Sequence, residues 1–431
     1  VTKVKDGHTV ENTATQVTND KRDKTNTVSN PLKEINPKKD VTVKVGGDSV
    51  DGRSVYLDST FLYQLDSSIL PADRAYQKVA NWGITDQLDP AYDKATGQWA
   101  VYAARDLYRG GEAIARKGER IAGSGFDSSR LGGDMFTANI DPSTGLVDIQ
   151  ATQAYLDLVS ADDAHEQGWR AYVQATRVKV TDRHENVFTE HVNGKDLTSN
   201  IVWTRTPDLT PGIKLEKWDR RSGWPKGDRD DSKDALDGAK DGDVIVFTIT
   251  NTSKDEDGHG AWFKASDLKL EDHTIVGDGE VKDLKYPDNW STLVLKPGDS
   301  VEVTGTLTGF TKDRHTDRAK VTGTPLVECP VVDKDPFGDA SGKPSTGGEA
   351  GDGPRQVTVG DRTLCEDTPV ESNTDDWNGY RAKSLAYTGT AVLGLAGGAL
   401  AVLLAGGSLL VFRKRHRAQG SGRHTAANAG K

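Results

Sequence analysis

Cys329 and Cys365 are the two cysteines of this 431-residue chain. Two thiols are too few for a four-cysteine zinc site or a disulfide framework. In an oxidising exterior they close one loop, and in a reducing compartment they remain thiols. Asp228, Asp230, Asp231, Asp234, Asp237, Asp241 and Asp243 crowd one stretch. Carboxylates at that density suit calcium, but the closing Glu of an EF-hand loop is missing. The stretch therefore reads either as a calcium loop or as a solvated acidic loop. His184-Glu185 and Glu190-His191 do not make a His-Glu-x-x-His zinc pattern. No Gly-x-Ser-x-Gly elbow and no phosphate-binding glycine loop occurs. Turnover chemistry thus has no motif, and the expectation is a protein that is not an enzyme and uses no cofactor beyond the calcium alternative.

The charge balance agrees. Lys and Arg number 55 against 65 Asp and Glu, for a formal net charge of −10, which argues against nucleic-acid or anionic-membrane partners. The single Met is Met135 and the chain starts at Val1, so it reads as part of a longer protein whose leader lies upstream. Residues 390–412 carry no charge and are long enough to span a bilayer's hydrocarbon core. Arg413, Lys414, Arg415 and Arg417 follow at once, as the positive-inside rule requires.

Leu385-Ala386-Tyr387-Thr388-Gly389 stands just before that span. Pentapeptide, apolar span and basic tail in this order resemble a sortase sorting signal, in the actinobacterial variant with Ala at the second position. The resemblance implies cleavage between Thr388 and Gly389 and transfer of the Thr388 carboxyl to a peptidoglycan precursor. Sortase and that precursor would then be partners. The protein would sit in the cell wall after a transient single-pass stage with a cytoplasmic C-terminus.

The elements that would position any chemistry read as strands. Residues 1–30 alternate apolar and polar with Asn/Asp turns, as the end of a preceding β domain. Residues 31–208 hold the strand patterns 41–45, 56–65, 98–107, 170–180 and 188–192, separated by Asp51-Gly52, Thr96-Gly97 and Asn193-Gly194 turns. One helix fits near 152–164. Residues 209–330 begin again after Pro207 and Pro211, with strands in 243–252, 291–310 and 318–325. Residues 331–384 are rich in Gly, Pro, Ser, Thr and Asp and read as a linker. The expected architecture is all-β: tandem immunoglobulin-like sandwiches, a linker, the sorting pentapeptide 385–389, a transmembrane helix at 390–412 and a basic tail at 413–431.

Residues 35–208 resemble the C-terminal domains of the streptococcal antigen I/II surface adhesin family. The matching pieces run in order: Ile35-Asn36-Pro37-Lys38-Lys39-Asp40-Val41, Val50-Asp51-Gly52, Leu70-Pro71-Ala72-Asp73, Thr96-Gly97-Gln98, Val192-Asn193-Gly194 and Ser199-Asn200-Ile201-Val202 through Thr206-Pro207. Domains of that family carry an intramolecular isopeptide bond. A first-strand Lys joins a last-strand Asn with help from a core Asp. The resemblance places the Lys at Lys39, with Lys38 as the neighbour that would serve instead, the Asp at Asp86 and the Asn at Asn200. A buried Lys loses its proton and becomes a nucleophile, and a buried Asp keeps its proton and polarises the amide. Asn26 resembles the same closing Asn in the preceding domain.

Residues 209–330 resemble repeat domains of Gram-positive surface proteins, through an early Lys, Asn251-Thr252 and Pro297-Gly298. The implied second set is Lys214 or Lys217, Glu271 or Asp272, and Asp317, which stands where Asn is usual and would release water instead of ammonia. The function these resemblances imply is a wall-anchored adhesin stalk with an unknown host or cell-surface ligand. Two other functions stay open: the anchor and spacer of a surface enzyme whose catalytic domain lies upstream, and a glycan- or protein-binding module in residues 31–208.

Overall fold

The computed structural model describes residues 9–31, 33–74, 78–338 and 354–382. The sorting pentapeptide, the apolar span and the basic tail lie outside these residues. Among the described residues no helix is long and apolar enough to cross a membrane.

The chain opens on a hairpin, Thr9–Thr18 against Lys21–Pro31, turning through Asn19 and Asp20 at positive φ. Residues 9–30 are exposed throughout, as expected of two strands with no sheet to cover them.

The first sandwich follows. One five-stranded sheet runs in the order Lys38–Thr42, Thr60–Asp66, Trp169–Arg177, Asp93–Ala103, Arg120–Gly123. The other runs Phe136–Asp141, Leu146–Ala151, Trp82–Gln87, Phe188–Val192, Lys195–Thr198. Inward-facing residues of both sheets share one core around Trp82, Ile84, Val101, Ile149, Trp169 and Phe188. Asn193 and Gly194 both have positive φ and join Phe188–Val192 to Lys195–Thr198 as the two-residue turn the sequence expects. The helix Gln153–Ala161 starts at Thr152, whose hydroxyl accepts from the Tyr155 N–H.

Alternation predicts half-buried strands, yet Thr60–Asp66 and Trp169–Arg177 are buried on both faces. The outer face of their sheet carries Leu62, Ala100, Tyr102 and Tyr172, and Phe337 covers it. Residues 331–338, expected to be linker, therefore pack on the first sandwich.

The core also holds a buried ion pair. Arg177 Nε donates to Asp93 Oδ1 at 2.5 Å, and Tyr63 Oη donates to Oδ2 at 2.6 Å; the Arg177 and Asp93 side chains are both fully buried. The Arg177→Leu variant would leave the Asp93 charge in a low-dielectric interior, so a loss of about 3–5 kcal/mol in denaturant unfolding is expected.

The second sandwich pairs a sheet in the order Ile213–Asp219, Val244–Asn251, Ser300–Thr308, Glu280–Lys285 with another in the order Leu236–Ala239, Asp375–Arg381, Arg314–Gly323, Lys269–Gly277. Its core gathers Leu215, Phe247, Val303, Val321 and Trp377. The expected boundary at residue 330 thus moves. Residues Gln356–Val359 and Arg362–Glu366 pair with each other, and Asp375–Arg381 lies in the middle of the second sheet. The polar and Gly-rich composition of 331–384 concealed these strands, because only a few apolar residues, Val357, Leu364 and Trp377 among them, carry the packing.

Candidate cross-linking sites

Strand alternation fixes which lysines face inward. Along Lys38–Thr42, Lys38 is exposed and Lys39 is buried. Lys39 Nζ donates to Asp86 Oδ2, and the two side chains are 0% and 1% exposed. The ammonium also lies 4.5 Å from the centre of the Tyr63 ring and 5.7 Å from that of Phe188. Burial pushes the Lys39 amine below its ordinary range, with Asp86 opposing. Burial likewise pushes the Asp86 carboxyl up, with Lys39 and the Asn186 side chain opposing. Both shifts favour the neutral pair, amine beside carboxylic acid.

Asn200 takes a different position. Its Oδ1 accepts from the Lys39 main-chain N–H at 2.9 Å, and its Nδ2 donates to the Lys39 carbonyl at 3.0 Å. The amide is spent on the Lys39 backbone and sits on the exposed side of the strand. The amide beside the Asp86 carboxyl is Asn186, which is buried. The Val187 N–H donates to Asn186 Oδ1 at 2.7 Å. Asn186 Nδ2 and Asp86 Oδ1 are both buried without a well-aligned hydrogen bond, a costly arrangement unless the atoms serve chemistry.

The second sandwich repeats this layout. Lys217 is fully buried, and its Nζ lies 2.5 Å from Asp272 Oδ1 and 2.6 Å from Asp317 Oδ1. Lys214 and Glu271 point away. Lys214 is 55% exposed and pairs with Glu216, and Glu271 faces Lys320 at 3.7 Å. Ile213, Leu215, Lys217 and Asp219 are the inward parity of their strand, which is why Lys217 and not Lys214 reaches the core. Burial pushes the Asp272 carboxyl up to about 6, with Lys217 opposing and Asp317 adding to the rise. Burial also pushes Asp317 up, but the Lys217 charge and the His315 ring beside it outweigh that and hold Asp317 below the usual carboxylate range. His315 Nε2 is 3.2 Å from Asp317 Oδ2.

The register ties the two sites together. Asp86 pairs across its sheet with Phe188, and Asn186 stands two residues before Phe188. Asp272 pairs with Ala319, and Asp317 stands two residues before Ala319. The counterpart of Asn200 is Asn373. Its Oδ1 accepts from the Leu215 N–H at 3.0 Å and its Nδ2 donates to the Leu215 carbonyl at 2.9 Å. Ser199 and Ser372 precede these two asparagines, and each hydroxyl accepts a main-chain N–H of the neighbouring strand, from Phe188 and Val321 respectively. The Ser-Asn pair is therefore a clamp that both sandwiches use. Its recurrence is the signal the sequence offers for separating the clamp from the core-facing Asn186.

The acidic stretch does not converge on one loop. Asp231 accepts from the Lys233 N–H, Asp241 from the Phe310 N–H and Asp243 from the Lys240 N–H. Asp228 and Asp230 instead meet Asp375, with carboxylate oxygens within 4.8 Å of one another. Burial pushes Asp375 up to about 8, and Asp230 adds to the rise. Protonation of one of the three would relieve their repulsion. Cys329 and Cys365 are joined as a disulfide.

Comparison with known proteins follows the same division. Residues 36–207 match the family model for the cell surface antigen C-terminus, and residues 1–32 match that for the cell surface antigen I/II C2 terminal domain. The aggregation substance of Enterococcus faecalis is 35% identical over 204 residues, which cover 46% of this chain and 14% of that protein. The chain therefore spans only a small part of that relative. Among solved structures, the C-terminal domain of the Streptococcus pyogenes antigen I/II-family protein AspA is 26% identical over 46% of this chain and 55% of that one, with a TM-score of 0.40. The C-terminal domain of the Streptococcus agalactiae AgI/II polypeptide BspA is 21% identical over 47% of this chain and 59% of that one, with a TM-score of 0.41. Residues 1–32 and 36–207, just under half of the chain, are thus similar to the C-terminal domains of the antigen I/II cell-surface antigen family.

Proposed function

We propose that the chain is a stalk segment of a cell-surface adhesin, and that each of its two sandwiches closes itself with an amide bond between side chains. The bonds are Lys39–Asn186 and Lys217–Asp317. The observation that carries this reading is the repeated placement of a buried Lys on a carboxyl group, with an amide or acid acceptor two residues before that carboxyl's strand partner.

In the first sandwich the Lys39 proton passes to Asp86, and the free amine attacks Asn186 Cγ. The Val187 N–H stabilises the charge that develops on Asn186 Oδ1. The C–Nδ2 bond breaks, Asp86 returns a proton, and ammonia leaves. In the second sandwich Lys217 attacks Asp317 Cγ and water leaves, with Asp272 as the proton carrier. Each reaction happens once per molecule, so it is maturation and not turnover.

The two reactions differ in proton demand. An amide acceptor needs only the internal Lys-to-Asp transfer. With an acid acceptor, the Lys217 proton goes to Asp317, and Asp272 must carry a proton of its own to polarise that acid, so the Lys217, Asp272 and Asp317 set needs one proton more than its ion-paired form; Asp272 keeps that proton when water leaves. The proton-carrying fraction of Asp272 falls as pH rises through about 6. Formation of the second bond in newly synthesised chain should therefore slow by up to about 10-fold per pH unit above that point, while the first bond forms at a rate flat between pH 6 and 8. Time-resolved intact-mass measurement checks this: one ammonia is lost for the first bond and one water for the second.

Display at the surface rests on the family and on the sequence order of pentapeptide 385–389, apolar span and basic tail. Sortase is the proposed partner in transfer to peptidoglycan, and any ligand is a host or cell-surface molecule. Scrambling Leu385–Gly389 should move the protein from the wall fraction to the medium or membrane; unchanged wall linkage would rule the sorting reading out.

A further inference from the structure

Residues 331–338 leave the second sandwich and lie along the outer face of the first. The Thr60 N–H donates to the Val331 carbonyl at 2.8 Å, and the Val331 N–H donates to Ser59 Oγ at 3.0 Å. Gln174 Nε2 donates to the Asp333 carbonyl at 2.6 Å. Phe337 is 2% exposed among Leu62, Ala100, Tyr102 and Tyr172. This strap fastens one sandwich to the other through one main-chain pair, the side chains of Ser59, Thr60, Gln174 and Arg120 on the strap's main-chain groups, and one buried ring. In an ordinary chain it would be the weak link of a stalk under tension, because tension passes through every residue in series.

Cys329 and Cys365 change that. They stand 36 residues apart in sequence with Cα atoms 4.9 Å apart, and the strap lies inside the loop they close. Beyond Cys365 the chain runs through Val370–Glu371 and Asp375–Arg381 back into the second sandwich. Tension entering at either end therefore crosses from residue 329 to residue 365 through sulfur.

We infer that the Cys329–Cys365 disulfide is a load-bearing bypass: it carries stalk tension around the strap and keeps Phe337 seated on the first sandwich. Reduction places the strap in the load path and turns it into a force-released element. The bypass stands by itself. Where the Lys217–Asp317 bond of the proposed function also forms, the two links run in series and leave only short stretches of the second sandwich extensible.

The test is single-molecule stretching of the full chain with handles at residues 9 and 382, before and after reduction in the chamber. Reduction should add an early extension step of about 120 Å, the contour of the freed loop. Phe337→Ala should lower the force of that step in reduced chain and leave the oxidised trace unchanged. Equal contour lengths before and after reduction would overturn the bypass, as would a Phe337→Ala effect on the oxidised trace. Asp317→Ala reports on the cross-link separately. It should add about 340 Å to the unfolding of the second sandwich. Absence of that gain, with the reduction step intact, would remove the cross-link and leave the bypass standing.

Discussion

Asn186→Ala should leave the purified chain without the ammonia loss of the first sandwich, and the same sandwich should melt roughly 10–20 °C lower. The size follows from the loop that the bond closes, from residue 39 to residue 186. Restricting the unfolded chain over such a length contributes about 5 kcal/mol by chain-entropy reasoning. The contrast is Asn200→Ala. Asn200 holds the Lys39 main chain through two hydrogen bonds, so its removal should cost about 1–2 kcal/mol while the ammonia loss persists. Lys39→Ala and Asp86→Ala should both abolish the bond, since one removes the nucleophile and the other the proton carrier. An Asn200→Ala chain that keeps its full unmodified mass would transfer the acceptor role to Asn200.

The second large effect is expected at Asp317. Asp317→Ala removes the acceptor and should cost about 4–5 kcal/mol for the loop between residues 217 and 317, with no loss of water. Asp317→Asn is the more telling change. The amide it would form with Lys217 is the same amide proposed for the natural chain, so the finished product should have equal mass and melt at the same temperature. Only the path differs. Ammonia now leaves, no additional proton is needed, and the dependence on pH above about 6 should vanish. The groups around the acceptor are Lys217, Asp272 and His315. His315→Gln in the natural chain separates a protonated imidazole from Asp272 as the source of the pH effect. A surviving slope in His315→Gln assigns it to Asp272.

The sequence was most informative where alternation and turn chemistry agree. Phe188–Val192, its Asn193-Gly194 turn and the core-facing Lys39 and Asp86 all follow from local pattern joined to resemblance. Asn186 was hidden because it sits in the polar run His184-Glu185-Asn186, which reads as a turn. Its burial comes from the parity it shares with Phe188, Glu190 and Val192, all of which face inward. Lys214 and Lys217 were both open at the sequence level, and the inward row Ile213, Leu215, Lys217 decides between them. The strands at 356–381 were concealed for a compositional reason. Gly- and Asp-rich sequence is the mark of a linker, and a few buried side chains, Trp377 above all, overrule it. The strap could not be read locally at all, since Phe337 is an isolated aromatic whose partners Leu62, Ala100, Tyr102 and Tyr172 lie in strands far earlier in the chain.

The most direct measurement is tandem mass spectrometry of a proteolytic digest of the folded chain. A branched peptide joining Lys39 to Asn186, lighter by one ammonia than its two parts, is the predicted result. Linear peptides that retain free Lys39 and free Asn186, or a branch that ends on Asn200, would contradict it.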